Sequence, residues 1–237
     1  MNVETSIVIP AYNMHGHGGK FLDFSLNKIF NQTYKNYEVV VSDHSKPEEI
    51  EVENVCRYWR NKKGMLLRHI RNEYKRGSSS ANVNVAIKNA TGSIVKILFQ
   101  DDFLYNNDAL EKTIKSFNDN LNKNWLVSAC EHSKDGINMY RSFYPKYHSD
   151  IHLGVNSISS PSVLSFKRAA NNQFFDEQLI WLMDVEYYKR LYTKIGEPII
   201  LNEITIVNRT WDMQVSNTVS ENIKQKEMAY VKGIYGH

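Results

Sequence analysis

The chain has 237 residues, 42% of them hydrophobic, with 29 basic against 26 acidic side chains. That suffices for a full core in one large domain or two small ones, and it excludes a disordered chain. A net charge of +3 is too small to imply a nucleic-acid partner, although it tolerates anionic ligands or an anionic membrane face.

No apolar run is long enough to cross a bilayer, and "TSIVIP" follows the start without a signal-peptide layout. Cys56 and Cys130 lie in apolar patterns and read as buried thiols in a reducing compartment. The expectation is a soluble cytoplasmic protein. Any membrane contact would be peripheral, at the inner face, through the lysines of "NIKQKEMAYVKG".

Short apolar, β-branched runs alternate with segments of helical period. "SIVIP" (6–10) reads as a strand, and Leu22, Leu26, Ile29 and Phe30 then share one helix face. "YEVVV" (37–41) is a second strand, followed by a helix with Val52, Val55, Cys56 and Trp59 on one side. "MLLRHI" (65–70) is a third strand, "SSANVNVAIKNATG" a helix closed by Gly92, and "SIVKILF" (93–99) a fourth strand. Runs that are apolar throughout argue a parallel sheet covered on both faces. Ligands of such sheets lie beyond the carboxyl ends of the strands, where Asp43 and the pair Asp101–Asp102 are found.

Past residue 103 the pattern loosens. A helix over 107–118, a run "WLVSAC", and a polar, aromatic stretch to about residue 154 lead to "SVLSF". A helix starting at Asp184 carries Val185, Tyr188, Leu191, Tyr192 and Ile195, and "PIILNEITIVN" makes one or two strands. With no repeat or flexible linker, a single domain over 1–237 is expected, with a nucleotide-binding half (1–102) and a second half (103–237) for another substrate.

Four pieces in order carry a resemblance: "TSIVIPAYN", "IFNQTYKNYEVVVSDHS", "NVAIKNATGSIVKILFQDD" and "FDEQLIWLMDVEYYKRL". Together they resemble the family 2 glycosyltransferases of GT-A fold. The likeness runs from about residue 5 to 210, well matched in the first half and at isolated points in the second. It implies an α/β fold with a Rossmann-like, mostly parallel sheet flanked by helices, plus an acceptor-binding half. The departures are Phe99, His44, Val83 and Met183, where the family often carries an acid, an acid, an arginine and an acid.

A sugar nucleotide leaves as a diphosphate whose negative charge grows as the glycosidic bond breaks. A hard divalent cation, Mn2+ or Mg2+, stabilises that charge and prefers carboxylate, water and phosphate oxygens. Asp101 and Asp102 supply carboxylates. On an extended strand their side chains would face opposite ways, which suggests Asp102 for the metal and Asp101 for the ribose, with Asp101 a further metal candidate. Read as plain structure, paired acids would cap the next helix, although Asn107 and Asp108 look like that cap.

The resemblance assigns Pro10, Ala11, Tyr12 and Asn13 to the loop under base and ribose, Asp43 to the nucleobase and Asn84 to the donor side. Arg71, Lys75 and Arg76 in "RNEYKRGSSS" offer positive charge for the diphosphate, beside a helix N-terminus. Asp184 is the candidate general base for the acceptor hydroxyl, although an acid at a helix start also reads as a cap. One base with no second carboxylate nucleophile implies inversion by single displacement.

His15 and His17 read as loop histidines rather than a metal pair. Arg209 and Asp212 lie in a segment resembling a loop that folds over the donor in some relatives. Tyr140, Tyr144, Tyr147 and His152 either line an acceptor groove or pack in the core. The expected partners are a nucleotide-sugar donor, most simply a UDP-sugar, and a glycan or lipid-linked saccharide. A catalytically silent sugar-nucleotide or glycan-binding domain of the same fold is the alternative. The first strand lacks G-x-G-x-x-G, against a dinucleotide-binding oxidoreductase, and no glycine-rich basic signature marks a nucleotidyltransferase.

Overall fold

The computed structural model describes residues 3–236. In the first half, β1 (Thr5–Ala11), α1 (Gly18–Phe30), β2 (Tyr37–Asp43), α2 (Glu51–Lys63), β3 (Leu67–Arg71), α3 (Ser79–Lys88) and β4 (Ile94–Ile97) alternate. β5 (Phe103–Leu104), α4 (Ala109–Asp119), β6 (Trp125–Ser133), β7 (Met139–Phe143) and β8 (Leu164–Lys167) follow. The chain ends with α5 (Met183–Ile195), β9 (Ile199–Arg209), α6 (Val215–Thr218) and α7 (Glu221–Tyr235).

All nine strands join one sheet of order β3-β2-β1-β4-β8-β6-β9-β5, with β7 paired on β6. It is parallel through β3-β2-β1-β4 and mixed beyond, where β8 runs antiparallel to both β4 and β6. Strand order turns back at β1 and β4, so their carboxyl ends open a crevice that crossing connections leave uncovered. Every residue of β1 and β4 is buried, as strands covered on both faces require.

The helices dock by apolar stripes. Leu22, Leu26 and Ile29 of α1 and Val52, Cys56 and Trp59 of α2 are fully or nearly fully buried. Phe30, expected in the same stripe, is instead 36% exposed and leans on Trp59 at the helix end. Ser78 caps α3 by accepting from the Ala81 N–H, and Gly64, at φ 70°, ends α2 in the left-handed region.

Three expectations need correction. The fourth strand stops at Ile97 rather than Phe99, because the Phe99 N–H turns away to the Ser162 Oγ at 2.9 Å. Asp108 stands at the cap position of α4 without a capping bond, its carboxylate paired instead with Lys112 at 3.2 Å. Gly92 does not close α3, which ends at Lys88. It permits a close approach: a Cβ there would meet the Ser6 backbone N at 2.7 Å and the Glu4 carbonyl oxygen at 2.9 Å. Gly92→Ala is therefore expected to cost about 1–3 kcal/mol through forced separation of backbone from β1, read as a lowered urea midpoint.

The polar, aromatic stretch is more regular than its sequence suggests. β6 extends to Ser133 and turns back as β7, with Glu131 accepting from the Ser142 hydroxyl. "PIILNEITIVN" forms one strand, bulged against β6 between Ser128 and Cys130. The lysine-rich C-terminal segment is α7, docked by Glu227 and Val231. Among the described residues, no helix is long and apolar enough to cross a membrane. Cys56 and Cys130 are free and buried.

Candidate active site

A cleft of about 440 Å³ opens beyond the carboxyl ends of β1 and β4, and it contains Asp101, Asp102 and Asp184. Asp101 and Asp102 lie in the turn after β4, not on the strand, so the opposite-face argument does not apply. Both line the same cleft. Gln100 fixes that turn to the loop after β1, accepting from the Tyr12 N–H at 2.9 Å and donating to the Gly18 carbonyl at 2.6 Å. Gly18 is required there, since a Cβ would fall 2.1 Å from the Tyr12 carbonyl oxygen.

Each acid of the pair has a protein donor. Asp102 Oδ1 accepts from the Arg209 backbone N–H at 2.9 Å, and Oδ2 from the Ser160 hydroxyl at 3.2 Å. That hydroxyl also points at Asn208 Oδ1 at 2.8 Å, so one proton serves two acceptors. Asp101 Oδ2 accepts from the Trp211 indole at 3.2 Å. Burial raises the proton affinity of Asp101. Burial together with repulsion from Asp101 pushes Asp102 up to about 8. Behind the pair, Lys96 is fully buried, donates to the Ser162 carbonyl, and is drawn down to about 7 by desolvation.

Two desolvated carboxylates that repel each other form a donor set suited to a hard divalent cation. No third Asp, Glu, His or Cys joins them among the described residues, which leaves most of such an ion's shell to phosphate and water. The residues fit the group.

Asp184 lines the same cleft from the first turn of α5. It is not the helix cap, which is Leu182 without a side-chain bond. Its carboxylate accepts from the Val185 N–H at 2.8 Å and from Asn156 Nδ2 at 2.7 Å. Burial pushes its pKa up to about 6, against those hydrogen bonds. Asn156 begins a tight turn in which Ser159 adopts φ 99°, a costly conformation for a non-glycine residue. The Tyr188 hydroxyl clamps that turn through the Ser159 and Ser160 carbonyls.

Not every expected residue comes to the cleft. Tyr12 lines it, whereas Pro10 and Ala11 are buried in β1 and Asn13 caps the following turn through the Gly16 N–H. Asp43 has no exposed surface and binds the Ser45 N–H, His69 and Arg71. A direct contact with a nucleobase is therefore not open in this structure. Arg71 is spent on Asp43 and Glu53, Lys75 on Glu177 and Arg76 on Glu73. Asn84 holds both backbone groups of Phe175 at 2.9 Å, tying α3 to the 175–177 loop.

Arg209 directs its guanidinium away, over Phe21, Phe24 and Phe103, into a second hollow on the far side of Trp211. Asp212 is exposed. His17 packs against Phe21 and Trp211 and joins no metal cluster among the described residues, and His15 is an exposed turn residue. Tyr140 and Tyr144 are exposed, Tyr147 stacks on Tyr192 at 3.8 Å, and His152 is buried against Tyr235. None of these four lines the cleft.

Sequence reasoning missed Arg141. Among the described residues lining the cleft it is the one lysine or arginine. His132 orients it: Nδ1 faces the Arg141 carbonyl at 2.9 Å and Nε2 the guanidinium at 3.1 Å. Burial lowers the His132 pKa, favouring the neutral ring that this pairing needs. The signal was faint, one of three cations in a polar, aromatic stretch without periodicity.

Residues 6–185 match the model of the family described as Glycosyl transferase family 2. The chain belongs to this family. Two uncharacterized glycosyltransferases, from Rickettsia typhi and Rickettsia prowazekii, are 24% and 27% identical to it over 94% of this chain and 69% of theirs. The glycosyltransferase fold is of the GT-A type. Staphylococcus aureus TarS 1-349, solved in complex with UDP-GlcNAc, superposes with a TM-score of 0.74 at 18% identity, over 96% of this chain and 66% of that one. The Pyrobaculum calidifontis mannosyltransferase PcManGT, solved with GDP-Man and Mn2+, superposes with a TM-score of 0.66 at 18% identity, over 90% and 58%.

Proposed function

We propose that this glycosyltransferase is metal-dependent and inverting. In this reading it moves a sugar from a nucleoside diphosphate, most simply UDP, to a hydroxyl of a glycan or lipid-linked saccharide. The observation that carries the reading is that Asp101, Asp102 and Asp184 line one cleft. Family membership and the nucleotide-sugar ligands of TarS and PcManGT support it.

Asp102, with Asp101, would hold Mn2+ or Mg2+, which supplies Lewis-acid neutralisation of the departing diphosphate. Tyr12, just past the end of β1, would be the residue of the Pro10–Asn13 segment that meets base and ribose. Residues 1–102 thus serve the donor and 103–237 the acceptor. Asp184 takes the proton from the acceptor hydroxyl as its oxygen bonds the anomeric carbon. The bond from that carbon to phosphate breaks, and the nucleoside diphosphate leaves with the electron pair. The cleft's other carboxylates are the acid pair itself, so no nucleophile is in place for a double displacement.

Incubation with a panel of UDP- and GDP-sugars, Mn2+ and saccharide acceptors is expected to release nucleotide from one donor, with release stopped by EDTA. Tight binding without release across the panel would instead favour the silent binding domain, in which Phe99 and Met183 mark lost acids. Arg141→Gln removes the cleft's cation and is expected to lower kcat/KM about tenfold or more, with the melting temperature nearly unchanged because Arg141 is exposed.

A further inference from the structure

The first turn of α5 has no side-chain cap from its own chain segment. The three backbone amides that lead into it nevertheless share a partner, supplied by α7 from 45 residues downstream of Leu182. Glu227 of α7 is 5% exposed and accepts from three successive amides: Ile180 at 2.7 Å, Trp181 at 3.0 Å and Leu182 at 2.9 Å. Converging amides of this kind form an anion-binding nest. Two residues later comes Asp184.

We propose that Glu227 is a positioning residue for Asp184, acting through the 180–182 turn. The inference rests on the reading of Asp184 as general base. Without a resident carboxylate, the free amides at this helix start would compete for the nearest acid, and Asp184 is that acid. A base drawn onto backbone donors is held as its anion, and its affinity for the acceptor's proton falls. Glu227 fills the nest and leaves Asp184 to the Val185 N–H, Asn156 and the cleft. Its negative charge also adds to the burial that raises the Asp184 pKa.

The rest of α7 behaves as a clasp on the same region. Tyr235 donates to Glu186 at 2.7 Å and Tyr230 to Asp176 at 2.8 Å, while Val231 is fully buried. Met228 and Trp181 meet over Gly154, where an added Cβ would lie 3.5 and 3.1 Å from them. The clasp lies beyond the span matched by the family model, which ends at residue 185.

The test is a carbon-13 NMR titration of Asp184 in the full chain, with the resonance assigned through Asp184→Asn. The ionisable groups facing it are Glu227 on α7 and Tyr188 on its own helix, with Asp101, Asp102, His132 and Arg141 lining the same cleft. Glu227→Gln is expected to lower the Asp184 titration by about one pH unit and kcat by about tenfold to a hundredfold, with UDP affinity unchanged. Glu227→Asp keeps the charge with a shorter reach and should fall between Gln and wild type in both readouts. It also serves if the Gln variant folds poorly. A folded Glu227 variant whose Asp184 titrates as in the wild type, with only the melting temperature lowered, would overturn the proposal. Undiminished turnover in Asp184→Asn would sink the general-base reading instead, and leaves the titration result standing.

Discussion

Asp184→Asn is expected to reduce sugar transfer by about a thousandfold while UDP affinity stays at the wild-type value. The amide is nearly isosteric and can still accept from the Val185 N–H; it gives up the bond from Asn156 Nδ2, while the 156–160 turn keeps its own bonds to Asn156 Oδ1. What it loses is the ability to take a proton. The same group sets the pH profile. Burial holds Asp184 near 6, and the base works only when deprotonated, so kcat should rise with pH through a limb at about that value and level off above it. Steady-state turnover from pH 4.5 to 8 checks the limb, and a flat profile would exclude Asp184 as the base.

Asp102→Asn is expected to remove metal-dependent turnover to a similar degree and, in metal-free protein, to raise stability at high pH. The sign follows from linkage. Asp102 binds its proton more tightly in the fold than in the unfolded chain, because burial and the neighbouring Asp101 penalise its anion. Between about pH 4, the ordinary aspartate value, and about pH 8, the native state therefore holds more protons than the unfolded one. Its stability falls as pH rises through that window. Asparagine keeps an acceptor for the Arg209 amide and carries no charge, so the slope should flatten. At about 2–4 °C per kcal/mol for a chain of this size, metal-free Asp102→Asn should melt several degrees above wild type at pH 8. A variant that melts lower would mean that Asp102 serves the fold rather than a cation.

The first half was legible because its strands are apolar throughout and its helices carry regular stripes. β1, β2, α1 and α2 fall within a few residues of their expected places. What the sequence hid was pairing across distance. Arg71 and Lys75 read as diphosphate contacts because nothing local shows that Asp43, Glu53 and Glu177 reach them. Asn84 binds a loop 91 residues away.

In the second half, β6 is buried at all nine positions, polar ones included. Its apolar pattern lapses after Cys130 even though the strand continues, since Glu131 and His132 find partners on β7. Glu227 looked like one acid in a lysine-rich tail, and its three amide partners are encoded far upstream. By contrast, motif and position pointed to Asp101, Asp102 and Asp184, which the structure brings to one cleft, although the turn that aims the acid pair there was not legible.

Calorimetric titration with UDP, in Mn2+ and then in EDTA, on wild type and Asp102→Asn, tests the acid pair most directly. The account predicts tight binding in wild type with Mn2+, and weak binding both in EDTA and in the variant. Equal affinity under all of these conditions would contradict it.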